Sequence, residues 1–351
     1  MSGSTSARST ALGEGVHQIR VPFPGPLDST LVYAVQTGEG LVLVDAGWQS
    51  DQAWAGLVEG LAEIGHAPAD VTGVVLTHFH PDHTGLCGRV REASGAWIAM
   101  HQADYEAFDH MTAERGSGWL DAQLDRFAAA GADAESLEQI RAEGLGAPPV
   151  DRSSRPDRVL GDGARIGTGG RSLRAMWTPG HTAGHVCFAL DETGIVFTGD
   201  HVLAKTTPHV GSFVYPLTED DPLADFLASL RRIRDSGLVT AFGAHGAPIA
   251  DLPGRSDELI AHHEQRLLDL IDSFAPGEEL TIWAAAARMR WHRPWSELPA
   301  MGRHMALSEG AAHLRLLLSR GVIEPVPQSD PVRYRLVPTP AGTAPGAATS
   351  R

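Results

Sequence analysis

From about residue 13 onward, short apolar runs alternate with polar breaks marked by glycine. Eight of these runs read as β-strands, at 30–35, 40–47, 71–78, 96–101, 171–177, 185–190, 194–200 and 237–245. Helical spacing appears between several of them. Trp54, Leu57, Leu61 and Ile64 recur at intervals of three and four, and Ile260, Leu267, Ile271 and Phe274 form a similar stripe within 256–274. The stretch 103–147, with Leu120, Leu124, Phe127, Leu137, Ile140 and Leu145, is a helical insertion that interrupts the strand series. Strands interleaved with helices predict a layered α/β architecture, and the blocks at the two ends of 14–255 suit a two-fold arrangement.

Ala275-Pro276-Gly277 breaks the pattern, which places a catalytic-sized domain over 13–277 and a second piece over 278–338. In that second piece SEGAAHLRLLLSR reads as a helix stopped by Gly321, followed by a short strand, a turn and the returning strand PVRYRLV. Helix, helix and hairpin predict a small winged-helix-like α+β module. Residues 1–12 and 339–351 are small, polar or Pro/Gly-rich without periodicity, and both are expected to be disordered tails.

Composition narrows the class. With 42% hydrophobic and 20% charged residues, the 351-residue chain can bury a sizeable core, which excludes a disordered or fibrous protein. The absence of a long apolar run and of a secretory leader makes a cytoplasmic, non-membrane protein the expectation. A net charge of −15 disfavours broad binding to nucleic acid, although residues 278–338 carry eight arginines against six acids. Cys87 and Cys187 are too few for a disulfide framework or a four-thiolate zinc site. The chain nevertheless holds 17 histidines beside a single lysine, Lys205.

The histidines are grouped. THFHPDHTG at 77–85 places His78, His80, Asp82 and His83 directly after an apolar strand, with Pro81 and Gly85 shaping the loop. Imidazole nitrogen and carboxylate oxygen are ligands that borderline divalent metals prefer. A solvated polar loop is the alternative, but the same kind of residue recurs at other strand ends. TPGHTAGH (178–185) presents His181, FTGDH (197–201) presents Asp200, and GAHGAP (243–248) presents His245. Loops at one edge of a layered α/β fold are where such residues can converge. Asp45, closing LVLVDAG, is expected to orient a histidine ring; His185 and His201 lie close to the ligands in sequence. His17, His66, His262 and His263 read as surface or core residues, and Trp291, Trp295 and Met301 as the core of the small module.

HxHxDH, then PGHT, then GD, then a late histidine resembles the metallo-β-lactamase superfamily over about residues 14–255. The resemblance implies an αββα four-layer sandwich hydrolase with two divalent metal ions, zinc first, iron or manganese as alternatives. It assigns His78, His80 and His181 to one ion, Asp82, His83 and His245 to the other, and Asp200 as the bridge. In that scheme a metal-bridging hydroxide attacks an activated carbonyl, and Asp82 is both a ligand and the catalytic group that orients the hydroxide and takes its proton. No protein nucleophile is required.

The C-terminal AHLRLLLSRGVI is similar to the winged-helix appendage of the β-lactamase-like protein 2 group, whose members include an endoribonuclease and carrier-protein thioesterases. A small-molecule or carrier-bound acyl substrate, a thioester or a lactone, is therefore the first expectation, with a metal-dependent endoribonuclease as the alternative. The appendage is expected to wall the cleft or to mediate homodimerisation. Apolar residues of the insertion, Tyr105, Phe108, Met111, Trp119, Leu120, Leu124 and Phe127, are expected either to form a lid over an acyl pocket or to pack in the core.

Overall fold

The computed structural model describes residues 7–24, 28–113, 118–145, 151–167 and 171–338. The first sheet is built from β1 (Ser9–Gly13), β2 (Val16–Pro22), β3 (Ser29–Thr37), β4 (Gly40–Val44), β5 (Val71–Val75), β6 (Trp97–His101) and β7 (Arg158–Leu160), in that spatial order. β1 to β4 pair antiparallel and β4 to β7 parallel. Alternation along the strands sorts the side chains. On β3 and β4, Leu31, Tyr33, Val35, Val42 and Val44 face the second sheet, while Val32, Ala34, Leu41 and Leu43 face the outer helices.

Those outer helices are α1 (Asp51–Glu63), the single turn α2 (Pro81–Thr84) and α3 (Cys87–Ser94). Ser50 caps α1 by accepting from the Ala53 N–H, and Leu57 and Leu61 bury against the sheet. The insertion follows β6 as α4 (Gln102–Ala113), α5 (Trp119–Ala129) and α6 (Ala134–Glu143).

The second sheet runs β12 (Thr240–Gly243), β11 (Ile195–Gly199), β10 (Val186–Leu190), β9 (Leu173–Trp177) and β8 (Arg165–Ile166). Its inner face brings Leu173, Ala175, Val186, Phe188 and Phe197 against the first sheet. Its outer face is covered by α7 (Pro222–Arg234) and α8 (Leu252–Asp272). Helix, sheet, sheet, helix is the expected αββα sandwich. None of the described helices is long and apolar enough to cross a membrane.

Some elements depart from the sequence expectation. The tail predicted over 1–12 gives way to structure earlier: Ser9–Gly13 form β1, and the Ser9 N–H and hydroxyl both donate to Glu63 on α1. Only Leu12 among its side chains packs on the core, so the strand depends on ladder and side-chain hydrogen bonds that local periodicity does not reveal. Residues 1–6 and the predicted tail 339–351 lie outside the described residues. The helix α7 is absent from the sequence expectation, although Asp221 at its cap, Pro222 at its first turn, and Leu223, Phe226, Leu227, Leu230 and Ile233 spell it out.

Beyond α8 come β13 (Leu280–Thr281), α9 (Ile282–Arg288), α10 (Ala300–Ser319), β14 (Ile323–Pro325) and β15 (Arg333–Leu336), with the three strands in the order β13-β15-β14. These elements do not enclose a core of their own. Leu280, Trp283, Leu307, Leu314 and Tyr334 join one apolar cluster with α7, α8 and the insertion's Leu124, Phe127 and Ile140. The Trp283 backbone N–H donates to the Ala130 carbonyl at 2.9 Å, and Arg303 reaches Gln139 and Glu143. Of the insertion's apolar residues, Leu124 and Phe127 are buried in that cluster and Phe108 is buried as well. Core packing therefore accounts for these three. Trp291 and Trp295 pack against the same cluster, but Met301 is exposed rather than part of the core.

Candidate metal centre

Four strands end at one edge of the sandwich. β5 leads into Thr77, His78 and His80 and the turn α2 with Asp82 and His83; β9 into the loop holding His181; β11 into Asp200; β12 into His245. Gly199, beside Asp200, has φ of +50°, and a Cβ there would stand 2.7 Å from Thr77. Only glycine lets β11 end so close to the β5 loop.

The structure brings all seven sequence-predicted residues together. The ring nitrogens His78 Nε2, His80 Nδ1 and His181 Nε2 form a triangle with edges of 2.9, 3.1 and 3.2 Å. A second group sits beside it: Asp82 Oδ2 is 3.3 Å from His245 Nε2 and 3.5 Å from His83 Nε2. The Asp200 carboxylate lies between the two, 3.8 Å from His181, 3.7 Å from His83 and 3.6 Å from His245. Each group fits within the span of a single ion's ligand shell.

Hydrogen bonds behind the rings fix which nitrogens are bare. Asp45 accepts from the Thr77 hydroxyl and from His83 Nδ1, the latter at 2.8 Å. With its proton directed to Asp45, the Thr77 oxygen is an acceptor for His78 Nδ1 at 3.0 Å. His181 Nδ1 donates to the His209 carbonyl at 2.7 Å, and His245 Nδ1 to the Ser29 carbonyl at 3.1 Å. Rings held this way turn Nε2 inward, toward one another or toward carboxylates. Ring nitrogens crowded at these distances call for a proton or a metal ion between them. Among the described residues, buried His83 Nε2, His245 Nε2 and Asp200 Oδ1 have no hydrogen-bond partner, which is the condition of atoms arranged for a cation.

The titration behaviour carries the same message. Burial alone would lower the His83 pKa, but Asp82, Asp45 and Asp200 raise it well above the usual imidazole range. Burial, reinforced by His181, lowers His80 to about 3. Burial would raise Asp200, yet His83, His245 and His181 hold it far below the ordinary carboxylate value. Asp82 is likewise lowered, its burial outweighed by His83 and His245. Both aspartates are ionised acceptors at neutral pH.

Asp45 takes the orienting role expected of it and adopts φ of +61° to do so. His185 stacks on His78 with ring centroids 5.3 Å apart, and His201 packs edge-on to Phe226. Two contributors were missed in the sequence. Asp104, fully buried at the start of α4, accepts from the Phe79 N–H, the Thr182 hydroxyl and the Gly184 N–H, tying the two histidine loops together. His209 supplies the carbonyl behind His181. An acid shortly after a strand end was the available signal for Asp104; a backbone carbonyl leaves none.

The family model of the metallo-beta-lactamase superfamily matches residues 25–245. The lactamase-like protein nscB of Aspergillus fumigatus is 28% identical over 245 residues, 70% of this chain and 56% of that protein. A protein of Claviceps purpurea named atrochrysone carboxyl ACP thioesterase is 27% identical over 237 residues, 68% of this chain and 57% of its own length. This chain thus spans little more than half the length of these curated relatives. The crystal structure of a metallo-beta-lactamase family protein from Thermus thermophilus superposes with a TM-score of 0.74 at 33% identity, covering 93% of this chain and 100% of that one.

Proposed function

The chain belongs to the metallo-beta-lactamase superfamily, and on that premise we propose that it is a metal-dependent hydrolase of activated acyl groups. A thioester of CoA or of an acyl carrier protein is the first substrate class and a lactone the second. The observation that carries this reading is the convergence of two sets of inward-facing ligand atoms on Asp200. His78, His80 and His181 would hold one divalent ion, and Asp82, His83 and His245 the other, with Asp200 shared. A nitrogen and oxygen donor set without thiolate suits zinc, and also iron or manganese. Such a pair of ions supplies an acidified water near neutral pH and an electrophile for the carbonyl oxygen.

The chain's own residues do the rest. Asp82, ionised and only 16% exposed, would orient a water and accept its proton. Asp45 holds the His83 ring, and Asp104 keeps the loops of His80 and His181 in register. The thioester preference draws on the relative named as an acyl-carrier thioesterase.

The endoribonuclease alternative rested on eight arginines in 278–338. Arg288, Arg303, Arg320 and Arg335 pair with Glu278, Glu143, Glu264 and Glu324, while Arg315 and Arg333 donate to backbone carbonyls. Six of the eight are thus engaged within the chain, which weakens their claim on phosphate. Acyl-CoA and acyl-carrier thioesters, lactones and single-stranded RNA, assayed with wild type and Asp82→Ala, test the proposal. Acyl hydrolysis that disappears in the variant is expected. RNA cleavage lost in the variant, without acyl hydrolysis, would overturn the substrate assignment, and less than one bound ion per chain would overturn the metal assignment.

A further inference from the structure

Between β11 and α7 the chain crosses the metal centre without regular structure, and this segment carries the His209 carbonyl that accepts from His181 Nδ1 at 2.7 Å. What holds the carbonyl there comes from the other end of the sequence. Ser308, fully buried on α10, meets the segment twice: its oxygen lies 3.1 Å from His209 Nε2, and its carbonyl accepts from the Ser212 N–H at 2.9 Å. The Ser308 hydroxyl proton is directed to the Met305 carbonyl at 2.8 Å, so toward His209 the oxygen is an acceptor and Nε2 carries the hydrogen.

The fit leaves no slack. A Cβ on Gly211 would stand 2.5 Å from His209 Nε2 and 2.7 Å from Ser308 Oγ, closer than real Cβ contacts come. Glu309, next along α10, faces the other edge of the His209 ring at 3.9 Å and is itself held by Arg266 at 3.0 Å.

We propose that Ser308 is a positioning residue for the metal centre: α10 clamps residues 209–212, and the clamped His209 carbonyl sets the orientation of the His181 ring. This rests on the reading of the cluster as a metal site. It makes the C-terminal elements part of the active-site framework, with their influence concentrated on the group of His78, His80 and His181. The second group, oriented through Asp45 and the Ser29 carbonyl, does not pass through the clamp.

The test is the rate at which the zinc-loaded protein yields zinc to a chromophoric chelator, which needs no substrate. Ser308→Ala removes the acceptor and Gly211→Ala wedges the segment from the helix, so two different changes strike one contact. Each is expected to speed release of one of two zinc equivalents by about 10–100-fold, the usual cost of losing an outer hydrogen-bond partner, with the other equivalent unchanged. Ile323→Ala, a truncation in the buried C-terminal sheet, serves as the structural control: it should lower the Tm and leave release at the wild-type rate. Wild-type release in both clamp variants, or equal acceleration in Ile323→Ala, would overturn the clamp. A wild type that takes up none of zinc, iron(II) or manganese(II) would overturn the metal reading and the clamp with it.

Discussion

His83 and His263 are both fully buried imidazoles, yet their surroundings ask opposite things of them. Three aspartates surround His83 and overcome the effect of burial, raising its pKa. His263 faces another imidazole, His313, at 3.3 Å, and His262 and Arg266 also act to lower its pKa. Burial first, and His313 next, push His263 down to about 2. The first environment calls for positive charge and the second expels it. Burial alone therefore does not separate a candidate ligand from a structural histidine; the sign of the neighbouring charge does.

The sharpest way to break the comparison is to remove the charge that marks the first environment. Asp82→Ala should abolish turnover of the preferred thioester, a loss on the order of 10²–10⁴-fold or more, at an essentially unchanged Tm. His313→Asn, in the second environment, should keep kcat close to wild type. Similar losses in both variants would show that the two histidine groups are not functionally distinct.

Asp45→Asn asks a finer question of the first group. Asparagine tolerates the φ of +61° at this position, so the backbone is preserved while the charge that holds His83 Nδ1 disappears. Affinity for one of two metal equivalents should fall about 10–100-fold in a metal titration. Unchanged affinity would leave Asp45 with a purely structural role.

Smaller still is the expected effect of Asp104→Asn. One carboxylate oxygen serves the Phe79 N–H and the Thr182 hydroxyl, and the other serves the Gly184 N–H. An amide must turn its NH₂ toward one of those donors. Urea unfolding should show a loss of about 1–3 kcal/mol, the cost of an unsatisfied buried group.

These residues differ in how visible they were beforehand. The seven clustered residues were legible because each is chemically conspicuous and follows an apolar strand, and strand ends on one edge of a sandwich meet in space. A layered α/β architecture was legible from strand and helix alternation, whereas the four-layer order followed from the resemblance to the superfamily. Asp104 was not, because it is an ordinary acid in a helix's first turn until folding sets it against two loops distant in sequence. Nor was the role of Ser308, which depends on docking α10 over residues 209–212. The sharing of one apolar cluster between the C-terminal elements and the rest of the chain was not legible either. Periodicity tells which face of a helix is apolar but not which partner covers it, and here α5, α7 and α8 share that role with α9 and α10.

The mildest effect belongs to the second environment alone. His263 and His313 have folded pKa values lowered to about 2 and about 3, burial being the main cause, whereas an unfolded imidazole titrates near 6.5. Between those values the unfolded chain binds more protons than the folded one. The stability these rings allow is thus complete above about pH 7 and declines as the pH falls through 6.5, each ring contributing up to about 1.4 kcal/mol per pH unit. Urea midpoints at pH 7.5, 6.5 and 5.5 should fall more steeply for wild type than for His263→Gln, because the variant has one fewer ring to charge on unfolding. Other buried histidines titrate in both proteins and cancel in the difference. Parallel curves would mean that His263 is protonated as readily in the folded protein as in the unfolded chain, and the contrast with His83 would then lie in the neighbours of His83 alone.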